Sequence, residues 1–147
     1  MIVRDYHPDD FNALFQLWES LEMAAGERGD NPAIIRQTLE KGGKLLVLED
    51  PGTGSIIGSS WMTFDGRRIF LHHFGIREDF QRKGLGTKLA VASLMFIKEK
   101  GYQVKLEVHK DNIAAIKLYE KAGFESFPDY DILMIRRPGE IEPENMH

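Results

Sequence analysis

Two stretches of this chain carry side chains and backbone able to do chemistry. The first is Gln81-Arg82-Lys83-Gly84-Leu85-Gly86-Thr87, where two cations and two glycines precede a long apolar-periodic segment. Glycine lets a backbone come close to a ligand, and the first N–H groups of a helix have no internal partner. With the positive end of the helix dipole and Arg82-Lys83 beside them, these amides suit a diphosphate. By glycine spacing alone, an ordinary helix start with solvated basic residues fits at least as well, because such patterns are common by chance. A P-loop needs Gly-x4-Gly-Lys-Ser/Thr, and no such string occurs; a dinucleotide fingerprint fails because Leu89 stands at the third position after Gly86. The second stretch is His72-His73. Adjacent residues of a regular strand point to opposite faces, so the pair is not expected to share a metal, and no metal is expected elsewhere.

Composition narrows the classes these stretches can serve. A chain of 147 residues with 42% apolar residues fits one ordinary domain with a packed core. Net charge is −4 with both signs scattered, which argues against a protein that grips nucleic acid by bulk charge. No apolar run approaches the ~20 residues of a membrane span, and Met1-Ile2-Val3-Arg4-Asp5 lacks the apolar stretch of a secretion signal. Zero cysteines exclude disulfides, thiolate metal sites and cysteine nucleophiles, and fit a reducing, cytoplasmic setting.

The elements that must position the two stretches follow from periodicity. Pro8-Asp9-Asp10 reads as a helix start, followed by Phe11, Leu14, Trp18, Leu21 and Ala25 at helical spacing. Asn31-Pro32 opens a shorter helix that carries Ile35 and Leu39 and stops at Gly42-Gly43. Lys44 to Glu49, Ser55 to Phe64 and Ile69 to Ile76 read as strands of an antiparallel meander, with turns at Asp50-Pro51-Gly52-Thr53-Gly54 and Asp65-Gly66. Leu85, Leu89, Ala92 and Phe96 then line one face of a long helix, widened by Leu94, Met95 and Ile97 and ended by Lys98-Glu99-Lys100-Gly101. Val104, Leu106 and Val108 alternate with Lys105, Glu107 and His109 as a strand, and Asp111 is expected to cap a helix that runs to Lys121 and ends at Gly123. Phe124 to Phe127 and Tyr130 to Ile135 read as two closing strands. The expected fold is α/β with the order β-αα-β-β-β-α-β-α-β-β, a mixed sheet covered by helices, in one domain over residues 1–137 with a polar, frayed tail at 138–147. A strand–helix–strand crossover within such a sheet makes two neighbouring strands parallel, and ligands tend to sit at the carboxyl ends of parallel strands.

On these residues the chain resembles the GNAT acetyltransferases. Gln81-Arg82-Lys83-Gly84-Leu85-Gly86 is similar to that family's Gln/Arg-x-x-Gly-x-Gly/Ala acyl-CoA loop. A second block agrees independently: Leu106-Glu107-Val108, Asn112, Ala115 and Leu118-Tyr119-Glu120-Lys121-Ala122-Gly123-Phe124. The C-terminal half is also similar to bacterial ribosomal-protein N-terminal alanine acetyltransferases, which share the Leu-Glu-Val…Asn…Tyr spacing. Leu17-Trp18-Glu19, Asp30-Asn31-Pro32 and Asp65-Gly66-Arg67-Arg68, by contrast, look like a bacterial GNAT branch of mostly unassigned substrate.

The resemblance implies acetyl-CoA as co-substrate, an amine as acceptor and direct attack of that amine on the thioester. It implies that the loop from Gln81 through Thr87 holds the diphosphate. It further implies that Phe74, Gly75 and Ile76, on a bulged strand, hold the pantetheine and thioester through backbone groups that can stabilise an oxyanion. Asn112 would hydrogen-bond the pantetheine, although a helix cap is an equal use for it. Tyr119 would be the general acid at the sulfur, with helix–sheet packing as the other use of such a tyrosine. Glu107 is the candidate base, with a solvated strand residue as the alternative; His72 and His73 are further candidates near pH 7. Glu22, Glu27 and Asp30 can attract a cationic acceptor or stand as a solvated helix end. An acyl-CoA sensor or interaction module on the same fold is the alternative to an enzyme. Homodimers are common in the family, but the sequence names no interface.

Overall fold

The computed structural model describes residues 1–23, 26 and 28–146. Five strands form one mixed sheet in sequence order: β1 (Ile2–Asp5), β2 (Lys44–Asp50), β3 (Ser55–Phe64), β4 (Ile69–Ile76) and β5 (Val104–Leu106). The first four are antiparallel, and β5 joins β4 in parallel through the expected crossover. The helices are α1 (Phe11–Ser20), α2 (Pro32–Glu40), α3 (Leu85–Lys100) and α4 (Ile113–Ala122).

Strand β2 reads as a continuous apolar run because both faces of the sheet are covered. Leu45 and Val47 pack with Leu14, Leu17, Trp18 and Ile35 of α1 and α2. Leu46 and Leu48 pack on the opposite face with Ile57, Leu71 and, from α3, Leu89 and Phe96. Local chemistry sets the element ends. Before α1, His7 caps a short 3₁₀ turn at Pro8–Asp10, and the Asp10 carboxylate accepts from His7 N–H at 2.8 Å and from Arg4 at 2.8 and 2.9 Å. Asn31 caps α2 by accepting from Ile34 N–H at 3.0 Å. At the α2–β2 junction a side chain on Gly43 would stand 2.6 Å from the Met62 carbonyl oxygen and 2.7 Å from that of Thr38. Only glycine lets the chain pass between those two backbone segments.

Several expectations are corrected. The two closing strands do not form: residues 124–135 make no ladder, because a strand exists only against a partner and no edge lies alongside them. The ladder of β5 stops at Leu106, so Val108 lies beyond it. Helix α4 is capped by Asn112, whose Oδ1 accepts from Ala115 N–H at 3.2 Å, and not by Asp111. Helix α1 ends at Ser20, with Glu22 left-handed at φ 57°; the expected helical Ala25 and the candidate Glu27 lie outside the described residues. Met95 faces solvent, because the buried face of α3 runs through Leu89, Ala90, Ser93 and Phe96.

Candidate active site

The crossover creates an opening in the sheet. β4 pairs with β5 only from Ile69 to Leu71 against Val104 to Leu106, and past Leu71 the two strands have no register. A cavity of about 230 Å³ lies there. His72, His73 and Phe74 line it from β4, Leu106, Glu107 and Val108 from β5 and its continuation, and Asn112 and Tyr119 from α4. Met23, Arg28 and Phe70 line it as well. Of the candidates named from the sequence, Phe74, Glu107, Asn112 and Tyr119 line this one cavity, together with the two further base candidates His72 and His73. Gly75 and Ile76 continue β4 beyond it, paired with Ser59 and Gly58.

The bulge of β4 falls at His73 and Phe74, before the glycine, which is itself in register. Ser59 pairs with Gly75 and Trp61 with His72, so β4 carries an extra residue, and His73 adopts a left-handed φ of 45°. Such a conformation costs a non-glycine residue on the order of 1 kcal/mol and persists only where its surroundings hold it. A buried relay does so here: Trp18 Nε1–H donates to Ser59 Oγ at 2.9 Å, and Ser59 Oγ–H donates to the His73 carbonyl at 2.6 Å. The turn of the backbone also defeats the expectation that His72 and His73 point to opposite faces. Both rings lie against Trp61, at centroid distances of 6.0 and 5.4 Å, and 6.4 Å from each other. Even so, no group of three ligating His, Asp or Glu side chains occurs among the described residues.

The two histidines have different neighbours. His72 Nε2 and Thr63 Oγ1 share a 2.7 Å hydrogen bond, and the ring stacks on Phe70 at 4.2 Å. Burial, with the adjacent His73 charge adding to it, pushes the His72 pKa down to about 4, so the ring is neutral at pH 7. His73 Nε2 stands 3.1 Å from Asp30 Oδ2, with side chains only 6% and 13% exposed, and neither atom has an aligned hydrogen-bond partner. Asp30 is thus turned inward rather than being the solvated helix-end residue that was the alternative; Glu22 is exposed. In the sequence, the two serines inside the apolar strand β3 were the unused signal. Ser59 and Ser60 are fully buried, one serving the His73 bulge and the other hydrogen-bonded to Ser93 at 2.7 Å.

Tyr119 packs edge-on against Phe74 and Phe124, each at 5.7 Å. Burial pushes its phenol pKa up to about 12, so it keeps its proton across the neutral range and can donate it. Asn112 Oδ1 is taken by its own helix cap, while Nδ2 makes no hydrogen bond among the described residues. The capping and binding uses of Asn112 are therefore compatible. Glu107 is exposed at the cavity rim.

The loop from Gln81 to Thr87 follows β4 and opens α3. Gln81 Nε2 donates to the Ile76 carbonyl at 2.8 Å, tying the loop to the end of the strand. Arg82 and Gly84 are left-handed at φ 63° and 77°, and the N-cap position is Gly84, which offers no side chain to the first amides of α3. Gly86 sits on α4, where an added side-chain carbon would stand 3.6 Å from Leu118. Lys83 lies over the Phe80 ring at 5.2 Å, and Arg82 is exposed. An uncapped, glycine-shaped helix start flanked by cations fits an anion.

The acetyltransferase (GNAT) family model matches residues 10–124, which span both the cavity and the loop. An acetyltransferase of Pectobacterium atrosepticum is 29% identical over 127 residues, covering 86% of this chain and 89% of that protein. The mycothiol acetyltransferase of Clavibacter sepedonicus is 32% identical over 98 residues, 66% of this chain but only 32% of that longer protein. Among solved structures, a GNAT-family acetyltransferase of Staphylococcus aureus superposes with a TM-score of 0.75 at 17% identity, covering 88% of each chain. Glucosamine-6-phosphate N-acetyltransferase of Arabidopsis thaliana does so with a TM-score of 0.67 at 18% identity, covering 91% of this chain and 95% of that one. With the matched region carrying loop, split strands and cavity together, this chain belongs to the GNAT family and is an acetyltransferase.

Proposed function

We propose that the chain uses acetyl-CoA to acetylate a primary amine, either a small molecule or a protein terminus or lysine. The observation that carries this reading is the cavity between the parted strands β4 and β5, where Glu107, Asn112 and Tyr119 converge. The amides of Leu85, Gly86 and Thr87, with Gln81, Arg82, Lys83 and Gly84, would hold the diphosphate. Backbone groups of Phe74, Gly75 and Ile76 and Nδ2 of Asn112 would hold the pantetheine arm. The thioester supplies an activated acyl carbon and a thiolate leaving group. An attacking ammonium must lose a proton, and the departing sulfur gains from receiving one. Glu107 is the base in this reading, because it stands exposed at the cavity rim, whereas His72 Nε2 is hydrogen-bonded to Thr63 and His73 faces Asp30. Tyr119 is the acid, its proton retained by burial.

The catalytic domain is residues 1–137, followed by the polar tail 138–147. The cysteine-free composition supports a cytoplasmic setting, and among the described residues no helix is long and apolar enough to cross a membrane. A homodimer is the assembly that the family resemblance suggests. Melting temperature with and without acetyl-CoA tests the donor side. At ~100 times its dissociation constant a native-state ligand adds ~2.7 kcal/mol of stability, and an unshifted melt rejects acetyl-CoA. Thiol release measured over a panel of amines tests the acceptor side, and a shifted melt without release to any amine rejects amine transfer.

A further inference from the structure

The acetyl transfer proposed above leaves the acceptor open. Resting on that reading, we infer that the acceptor is a small amine that also carries an anionic group, a carboxylate or a phosphate, and that Arg28 binds this group at the opening between β4 and β5. Arg28 lines the cavity there and is exposed. Local structure accounts for its position, because the segment between α1 and α2 is seated on β4 at two points. Met23 donates its N–H to the Trp18 carbonyl at 2.9 Å, and its Cε fills the space over Gly75, where an added side-chain carbon would stand 2.9 Å away. Asp30 stands 3.1 Å from His73. Between these points the chain turns at Gly29, left-handed at φ 84°, whose N–H donates to the Gly26 carbonyl at 3.2 Å. Arg28 is the residue that this turn brings to the opening.

With Phe74, Asn112 and Tyr119 serving the donor, the polar lining left for the acceptor is Arg28, Glu107 and the rings of His72, His73 and His109. His72 is hydrogen-bonded to Thr63, His73 faces Asp30, and His109 Nδ1 accepts from Asp111 N–H at 3.1 Å. Two full charges of opposite sign remain in that lining, on different elements. Glu107 belongs to the continuation of β5, and Arg28 to the loop that rests on β4, where its charge acts on His72. Asp30, two residues away, is turned to His73 rather than to the guanidinium. An ammonium at Glu107 and an anion at Arg28 describe one acceptor with both charges. A guanidinium holds a carboxylate or a phosphate through paired N–H donors, and its fixed charge disfavours acceptors with several ammonium groups. The cavity volume of about 230 Å³ is below the ~300–1,000 Å³ of drug-sized sites, so the two charges must lie close together. The reaction balances as one acyl transfer. The ammonium gives a proton to Glu107, the amine nitrogen bonds to the thioester carbon and the C–S bond breaks. Sulfur takes the Tyr119 proton, and the second proton of the nitrogen restores the phenol. Amide, free thiol and one proton leave.

Thiol release from acetyl-CoA, measured with matched amines that differ in the anion, tests this. Alanine against alaninamide probes the carboxylate, phosphoethanolamine against ethanolamine the phosphate, and spermidine serves as the polycation. In at least one pair the anionic member is expected to have the higher kcat/KM by about 10- to 100-fold, the range of a charge-assisted hydrogen bond. The pair that shows it tells carboxylate from phosphate. Arg28→Gln is expected to raise KM for that acceptor by a similar factor while the melting shift with acetyl-CoA persists, and Arg28→Lys to recover part of the loss. Neutral amines or spermidine used as well as the anionic members overturn the proposal and leave amine transfer standing. An Arg28→Gln variant that keeps the preference overturns it equally. The comparison in the unmodified chain needs no variant, so a variant that fails to fold does not blunt the test. Release to no amine at all rejects amine transfer itself, and this proposal with it, so the two readings fail by different results.

Discussion

The hydroxyl of Ser59 donates a 2.6 Å hydrogen bond to the carbonyl of His73, and this bond bridges strand β3 to the one left-handed residue of β4. Ser59 is fully buried and also accepts from Trp18 Nε1. Removing the hydroxyl leaves an indole N–H and a backbone carbonyl without that partner at once. Ser59→Ala should therefore lose about 1–3 kcal/mol of stability, the usual cost of a stranded buried polar group. Urea unfolding followed by Trp fluorescence measures it. A variant as stable as the parent would show that the bulge holds itself without the relay.

Tyr119 is the acid of the proposed reaction, and burial alone raises its pKa to about 12, against 10 for a free phenol. Tyr119→Phe should lower kcat by about 10²- to 10⁴-fold, the range of a general acid, with acetyl-CoA affinity from calorimetry unchanged. The sign of the shift also fixes the pH response. Since the folded pKa is raised, ionisation of this phenol can remove activity only above pH 10. Unchanged turnover in the variant would end the acid role, and an alkaline loss that begins below pH 9 and disappears in Tyr119→Phe would contradict the burial argument.

His72 makes a prediction of opposite sign. Its folded pKa of about 4 lies below the unfolded 6.5, so the unfolded chain takes up the proton first as pH falls. The stability from keeping this ring neutral is complete above pH 6.5 and is lost progressively down to pH 4. At ~1.4 kcal/mol per pKa unit the loss amounts to about 3 kcal/mol. Unfolding free energies at pH 7 and pH 4.5 should differ more in the parent than in His72→Gln, with other acid-sensitive groups common to both. Equal pH dependence in the two proteins would remove His72 as the cause.

Much of the architecture is legible without coordinates because it is local. The strand-favouring composition and flanking turns of Ser55–Phe64 and Ile69–Ile76, the helical spacing from Leu85 to Phe96 and the glycine at position 101 depend on neighbours within a few residues. The Gln81–Gly86 loop and the Glu107, Asn112, Tyr119 series are likewise linear patterns, which is why a family resemblance could be drawn from them.

What the sequence by itself determined is therefore the order of elements from β1 through α4, the anion-suited loop and the candidate acid and base. Only the tertiary structure decided where three other features lie. The pairing of His73 with Asp30, a contact 43 positions apart, depends on how the loop before α2 lands on the sheet. The shared face of His72 and His73 depends on a bulge imposed by a buried serine on the neighbouring strand. Tyr130 to Ile135 has the composition of a strand, but a strand's hydrogen bonds belong to two chain segments, and no pattern within one of them supplies the other.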